Sequence, residues 1–353
     1  MNYVIFAQYL LTHQGLNGIN KGLMESRITN RWTLLLLLLV VFSGSVLTRS
    51  CEDDSEDTYT QEQEQRYFDI YMASNYPDAV QQASGIYYLE NNEGAGRMPG
   101  DSSWLLINHV AYTLPDEQVY ETYLEHVALD NRIHDAAALY GPYKIRNGTT
   151  NEGFTEGLKL MSEGGGATIL FTSDLGFGAS DGRVGSYRSL KYEVQLLEVI
   201  DDIIDYEANK LMAYTDTIVG VQMVQDTIDN LIMYYVIDES TDGAPVATDS
   251  TIEVAYKGYL MDGRVFDQSS DTTGFIFKVD SEDAGVITGW TLGMKQFKEG
   301  EKGRLIIPYQ LAYGEFGDFT DGGNVKIPPY ETLVFDVDVL SVEADEGDIK
   351  PDV

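Results

Sequence analysis

Cysteine occurs once, at Cys51, so no disulfide can form within the chain. Histidine is nearly as scarce, with four residues, and none lies beyond His134. The spacing of His109, His126 and His134 fits no helical metal pair, so a zinc site is not expected. Positive charge is sparse too: 23 Lys and Arg stand against 57 Asp and Glu, a net charge of −34. That balance excludes a nucleic-acid backbone as the default partner, because such binding needs clustered cations. It also argues against lying flat on an anionic lipid surface, and reads most simply as a solvated, self-repelling surface. Long apolar runs are missing as well. The longest, Thr33–Leu47, covers about 15 residues against the roughly 20 that a membrane-spanning helix needs.

The chain does have apolar and aromatic material in quantity. Of its 353 residues 43% are hydrophobic, with 24 Tyr and 13 Phe, enough for two globular domains plus a leader and linkers. The run at Thr33–Leu47 follows Arg27 and Arg31 and precedes Cys51 closely, the layout of a secretory h-region. With its cysteine it resembles a bacterial lipoprotein signal, which implies lipidation of Cys51 as the mature N-terminus and a membrane tether. One departure is Thr48-Arg49-Ser50, which stands where the usual lipobox carries Leu three positions before the Cys. Met24 would open a compact signal and is the expected start. The acidic run Glu52–Asp57 resembles the surface-export tags of Bacteroidota lipoproteins and reads equally as a charged tether.

An internal repeat sets the expected architecture. Gly153-Phe-Thr-Glu-Gly-Leu-Lys-Leu-Met-Ser-Glu-Gly164 matches Gly289-Trp-Thr-Leu-Gly-Met-Lys-Gln-Phe-Lys-Glu-Gly300. The match continues through Ala167–Phe171 against Gly303–Ile307, Leu175–Gly178 against Leu311–Gly314, and Ser189–Val194 against Thr332–Val337. Each repeat shows a helical lead-in (Gln61–Met72 and Ile200–Met212), alternating strands such as Thr251–Tyr256, and a short amphipathic helix, Thr291–Lys298 in the second. Apolar runs at Arg304–Ile307 and Leu333–Val339 close the sheet. The expected class is α+β: two tandem domains, each a curved antiparallel half-barrel of five or six strands around one short helix. The expected division is a leader over 1–51, an acidic tether over 52–60, a first domain over 61–199, a helical linker over 200–227, a second domain over 228–343 and an acidic tail over 344–353.

The second repeat resembles the FKBP-type peptidyl-prolyl cis-trans isomerases along its whole length. Tyr256-Lys-Gly-Tyr-Leu-Met-Asp-Gly-Arg-Val-Phe-Asp267 is similar to the family's second and third strands, and Val286-Ile-Thr-Gly-Trp290 to its signature at the helix start. Leu311-Ala-Tyr-Gly314, Ile327-Pro-Pro329 and Thr332–Val337 follow in the family's order. The resemblance implies tandem FKBP-like domains and, in the second, a pocket in which Tyr256, Phe266, Asp267, Trp290, Tyr313 and Phe335 carry catalysis. Phe275, Val286, Ile287 and Ile327 would contact substrate. Trp290 would form the floor, and the Tyr313 hydroxyl and the Ile287 backbone N–H would donate to substrate carbonyls. The loop Gly314–Lys326 is longer and more acidic than is usual in the family, where it overhangs the pocket.

These residue types suit that reaction on physical grounds. Rotation about an X–Pro bond is opposed by a barrier of about 18–20 kcal/mol, because the planar imide is delocalised. The twisted imide loses this delocalisation and has a less polar carbonyl. A dry aromatic pocket therefore penalises the planar form more than the twisted one. No nucleophile, metal or cofactor is required, and the second repeat contains neither Cys nor His. The expected partners are proline-containing unfolded or extended polypeptides. The rival reading is a non-catalytic chaperone in which both domains hold such chains.

In the first repeat the pocket is altered. Phe154 stands at the Trp290 position, Phe177 at Tyr313, Glu121 at Asp267 and Tyr120 at Phe266. Val184-Gly-Ser186 replaces Ile-Pro-Pro, and Val110 aligns with Tyr256. A domain that holds polypeptide, a partner or its sister domain is expected here. Glu239–Gly243 reads as a hairpin turn.

Overall fold

The computed structural model describes residues 59–179, 184–227, 229–270, 273–281 and 285–344. The leader, Cys51, most of the acidic tether and nearly all of the acidic tail lie outside the described residues. Among those described, no helix is long and apolar enough to cross a membrane.

Helix α1 (Gln61–Asn75) begins at a capping box, in which the Thr60 side chain accepts from the Gln63 N–H and the Gln63 side chain accepts from the Thr60 N–H. It is pinned by Glu64, whose buried carboxylate accepts from the Ser173 N–H (2.6 Å), the Ser173 hydroxyl (2.6 Å) and the Ser189 hydroxyl (2.8 Å). The first sheet contains β1 (Tyr87–Asn92), β2 (Trp104–Thr113), β3 (Gln118–Thr122), β4 (Tyr143–Arg146), β5 (Gly166–Phe171) and β6 (Leu190–Ile200). Its order is β1-β5-β6-β2-β3, with β4 also pairing with β2. Helix α2 (Glu125–Asp130) lies in the β3–β4 connection, and α3 (Glu152–Leu158) packs on β5.

Helix α4 (Ile203–Thr215) follows, capped by Asp202, which accepts from the Ile204 and Asp205 N–H groups. The expected linker is thus helical only in part, and Gln222–Gln225 forms β7, an edge strand of the second sheet in which Val224 packs on the core. The second sheet adds β8 (Ile232–Glu239), β9 (Thr251–Leu260), β10 (Val265–Gln268), β11 (Phe275–Lys278), β12 (Lys302–Ile307) and, beyond β13 (Asp318–Phe319) and β14 (Val325–Ile327), β15 (Leu333–Glu343). Its order is β8-β12-β15-β9-β10, with β7 on β8 and β11 on β9. Strand for strand this is the topology of the first sheet, with β1 matching β8, β2 matching β9 and β6 matching β15. Helix α5 (Thr288–Met294) packs on β12 as α3 packs on β5. The α+β class and the antiparallel sheets around short helices are as the sequence led us to expect.

Three local expectations are corrected. Helix α5 spans Thr288–Met294 rather than Thr291–Lys298. Its apolar spacing runs on to Phe297 through a turn whose N–H bonds the Met294 carbonyl, so periodicity overshoots the helix end. Glu239–Gly243 is no hairpin turn, because β8 pairs with β7 and β12 and never with β9. It is a crossover held by the buried Glu301 carboxylate, which accepts from the Ser240 hydroxyl and the Thr241 and Lys298 N–H groups. Finally, Tyr256 corresponds to His109 and not Val110. Tyr256 pairs with Val337 across β9 and β15, as His109 pairs with Val194 across β2 and β6.

The two repeats meet through grown loops. The first repeat's β3–β4 connection runs from Tyr123 to Tyr143, whereas the matching stretch of the second is only Ser269 to Phe275. The second repeat in turn enlarges the loop after Gly314, which forms the small separate sheet of β13 (Asp318–Phe319) and β14 (Val325–Ile327). Leu139 of the first repeat is buried within the core cluster of the second, which also includes Val246, Trp290 and Leu311. A buried ion cluster joins Lys144 on β4 to Glu207 on α4 (2.7 Å) and to Glu331 before β15 (2.7 Å).

Candidate functional site

A cavity of about 250 Å³ opens on the concave side of the second sheet. Trp290, nearly buried on α5, forms its floor. Phe335 on β15 meets the indole edge to face at 5.2 Å between ring centres, and Tyr256 on β9 does so at 5.1 Å. Phe266 packs on Phe335 at 5.4 Å, and Phe275 on Trp290 at 6.3 Å. These edge-to-face contacts fix the rings in place and leave apolar faces turned to the opening. Tyr313, which follows a 3-10 turn over Tyr309–Leu311, lines the cavity as well, as do Gly285, Val286 and Ile287.

Gly258 on β9 makes this packing possible. A Cβ there would come within 2.7 Å of Phe266 and 2.8 Å of Phe335. The first repeat has Ala111 at the matching position, opposite Tyr192 and Glu121 as Gly258 is opposite Phe335 and Asp267.

The polar groups fall into two classes. Asp267 is anchored, accepting from the Tyr256 hydroxyl (2.8 Å) and from the Gln268 N–H (2.9 Å). Burial first, and then this bond to Asp267, pushes the Tyr256 phenol far above the ordinary tyrosine range. Tyr313 is raised as well, chiefly by burial, although the nearby Lys326 ammonium opposes the shift. The Tyr313 hydroxyl and the Ile287 backbone N–H bond no acceptor among the described residues, so both remain available to a ligand in the cavity.

Of the residues singled out in the sequence, the structure brings Tyr256, Phe266, Asp267, Phe275 and Val286 to this cavity, together with Ile287, Trp290, Tyr313 and Phe335. Ile327 is placed elsewhere. It is 1% exposed and faces the core, while its neighbour Lys326 turns to the cavity. Strand alternation explains the exchange, since successive side chains point to opposite faces. Lys326 and Gly285 were not singled out; a period-two reading of Val325–Ile327 could have found the lysine. The expected overhang of the long loop is also corrected. Its ends, Tyr313 and Lys326, line the cavity, but its tip turns away onto the first repeat, where Phe319 lies beside Tyr123 and Tyr143.

In the first repeat the residues at the matching floor positions pack on one another, while Tyr120 and Glu121 line a separate cavity of about 240 Å³. Phe154 stacks on Tyr192 at 4.2 Å, and the Tyr192 hydroxyl lies 2.5 Å from that of Tyr120 and accepts from Asn151 (2.9 Å). His109, buried at the Tyr256 position, has its Nε2 3.3 Å from Glu121, which holds the Asp267 position. Tyr123, where the second repeat has Ser269, packs on the imidazole at 4.2 Å.

Comparison with known proteins points to the same segment. Residues 243–340 match the family model described as FKBP-type peptidyl-prolyl cis-trans isomerase. FkpA of Escherichia coli, an FKBP-type peptidyl-prolyl cis-trans isomerase, is 44% identical over 124 residues, covering 34% of this chain and 42% of that protein. A macrophage infectivity potentiator of Trypanosoma cruzi is 42% identical over 97 residues, 28% of this chain and 45% of that one. The chain thus spans about two-fifths of the length of the curated relatives it matches. Among solved structures, that of Escherichia coli FkpA has a TM-score of 0.32 at 36% identity, covering 40% of this chain and 61% of the other. The three FKBP domains of wheat FKBP73 give 0.29 at 20% identity, covering 74% and 95%. Residues 243–340, which surround the aromatic cavity, are thus the part of the chain that is similar to the FKBP-type peptidyl-prolyl cis-trans isomerases.

Proposed function

We propose that the second repeat, over residues 228–343, catalyses cis-trans rotation of X–Pro bonds in exported polypeptides. The observation that carries the reading is the ring-lined cavity with Trp290 as floor and two donors, the Tyr313 hydroxyl and the Ile287 N–H, that are unengaged among the described residues. A proline ring would rest on Trp290 between Tyr256, Phe266 and Phe335, with Phe275 and Val286 against the flanking residues. The Ile287 N–H and Tyr313 would donate to carbonyls on either side of the imide. Desolvation by the rings raises the planar imide, with its more polar carbonyl, relative to the twisted one, and the donors hold the chain in the productive orientation. Asp267 fixes the Tyr256 ring through its hydroxyl and places one anionic group at the rim. The test is cis-to-trans conversion of a short X–Pro peptide by the mature protein. Turnover that collapses in a Trp290→Ala, Tyr313→Phe double variant is expected, and a folded wild type no faster than background would sink the reading.

A second reading, holding of unfolded chains, is favoured by the packed floor of the first repeat and by Phe316 and Phe319, which remain 75% and 51% exposed on the enlarged loop. Refolding of a client without slow prolines separates the two, since only holding helps it. The export reading rests on the leader pattern alone. Lipidation at Cys51 and a membrane tether predict incorporation of labelled palmitate that a Cys51→Ser variant loses.

A further inference from the structure

The enlarged loop of the second repeat, Gly314–Ile327, poses a physical problem. Its strands β13 and β14 form a sheet by themselves, detached from the seven-stranded one. An isolated two-stranded hairpin is marginal in water. Four glycines, Gly314, Gly317, Gly322 and Gly323, add to the entropy that must be lost to order it. Yet both of its ends carry side chains that line the cavity, Tyr313 and Lys326. The second repeat anchors its base, through Ile327 in the core and Tyr330 bonded to Gly314 and Glu315, but the tip needs support from elsewhere.

That support comes from the first repeat's enlarged β3–β4 connection. Asp135 Oδ2 accepts from the Thr320 hydroxyl at 2.7 Å and from Asn324 Nδ2 at 3.1 Å. Its other oxygen accepts from the Ala137 N–H at 2.9 Å, and its own N–H donates to the Tyr140 hydroxyl at 3.0 Å, so the carboxylate is pre-oriented. The Leu139 N–H donates to the Val325 carbonyl at 2.8 Å, and its side chain is buried in the second repeat's core. The hydrogen bonds from Asn324, Thr320 and Ala137 hold the Asp135 carboxyl below its usual range, as expected for an engaged acceptor.

We propose that the first repeat is a brace for the second repeat's site: Asp135 and Leu139 set the position of the loop, and with it Tyr313 and Lys326, before substrate arrives. This deepens the isomerase reading and rests on it. Asp135 is a positioning residue, remote from the reacting bond. Because the loop is ordered in advance, its ordering entropy is not subtracted from substrate affinity. The brace therefore acts on KM more than on kcat.

The test uses the full mature chain with Asp135→Ala, Asp135→Asn and a Thr320→Val, Asn324→Ala double variant. Asp135→Ala should raise KM for an X–Pro peptide roughly three- to tenfold, with kcat nearly unchanged. Asp135→Asn keeps an acceptor oxygen and should restore most of the affinity. The loop-side double variant should give the same shift, and joining it to Asp135→Ala should add nothing further. An unchanged KM in Asp135→Ala, or additive effects, would overturn the proposal. Amide hydrogen exchange across residues 318–326 gives a readout independent of turnover. If wild type shows no turnover, the isomerase reading falls, and the brace is judged by exchange alone: faster exchange in Asp135→Ala sustains it, and unchanged exchange overturns it.

Discussion

Replacing Lys144 by methionine should uncouple the two repeats, and should do so in a pH-dependent way. The Lys144 ammonium is 3% exposed and touches Glu207 Oε1 and Glu331 Oε2, each at 2.7 Å, and the Tyr330 carbonyl at 3.2 Å. Lys210 is the remaining cation, at 3.5 Å from Glu207 and 3.7 Å from Glu331. Lys144→Met leaves two buried carboxylates facing one cation. Removal of one partner from a buried ion pair costs about 3–5 kcal/mol. Burial already pushes the Glu207 carboxyl above its usual range against the pull of Lys144 and Lys210. Without Lys144 that rise grows. A carboxyl that keeps its proton to a higher pH when folded than when unfolded, where its pKa is about 4.3, loses stability as pH rises through the interval between the two values. The variant should therefore lie closest to wild type near pH 5 and furthest below it at pH 8. Urea unfolding followed by tryptophan fluorescence reads this, because Trp104 belongs to the first sheet and Trp290 to the second repeat. Single-tryptophan backgrounds should unfold together in the presence of Lys144 and at separate midpoints in its absence. A loss under about 1 kcal/mol at pH 8, or one that does not change between pH 5 and pH 8, would refute the reasoning.

Three further outcomes are expected. Gly258→Ala should force Phe266 or Phe335 off its position, lowering kcat/KM about tenfold and costing roughly 1–3 kcal/mol of stability, measured by peptide isomerisation and urea titration. Glu64→Ala removes the acceptor for Ser173 and Ser189 and should destabilise the chain by about 2–4 kcal/mol, visible equally at the Trp104 and Trp290 reporters while Lys144 couples the repeats, and at Trp104 far more than at Trp290 once Lys144 is replaced. The phenols of Tyr71, Tyr112, Tyr143, Tyr206, Tyr256 and Tyr259 are all pushed up, burial being the first cause for each. Their folded pKa values exceed the unfolded value of about 10, so stability is lost as pH rises beyond that point. The share of tyrosinate absorbance due to these six should lag and then climb together with unfolding; ionisation of every phenol near pH 10 in a folded chain would contradict it.

The ring cavity was legible in the sequence because its residues fall in ordered local motifs: Tyr256 to Asp267, Val286 to Trp290, Tyr313, and Phe335 on the last strand. The repeat was legible for the same reason, since Gly153–Gly164 and Gly289–Gly300 align without gaps. What failed depended on facing and on distance. Ile327 and Lys326 exchange roles because a three-residue strand offers too little alternation to read. His109 and Val110 are neighbours on a strand with no local motif to set its register, so the match to Tyr256 slips by one residue in the sequence; pairing with Val194 reveals the register. The bonds from Thr320 and Asn324 to Asp135 join parts of the chain some 185 to 189 positions apart, and no periodicity announces them.

Leu139 has a consequence for the order of assembly. It is a core residue of the second repeat carried by the first, and an N-terminal domain generally folds first as a chain is made. The later repeat thus closes around a side chain already presented to it, so folding of this tandem runs in one direction. A circularly permuted chain with residues 228–343 placed first would have to complete its core with that seat empty, and should fold more slowly than the natural order.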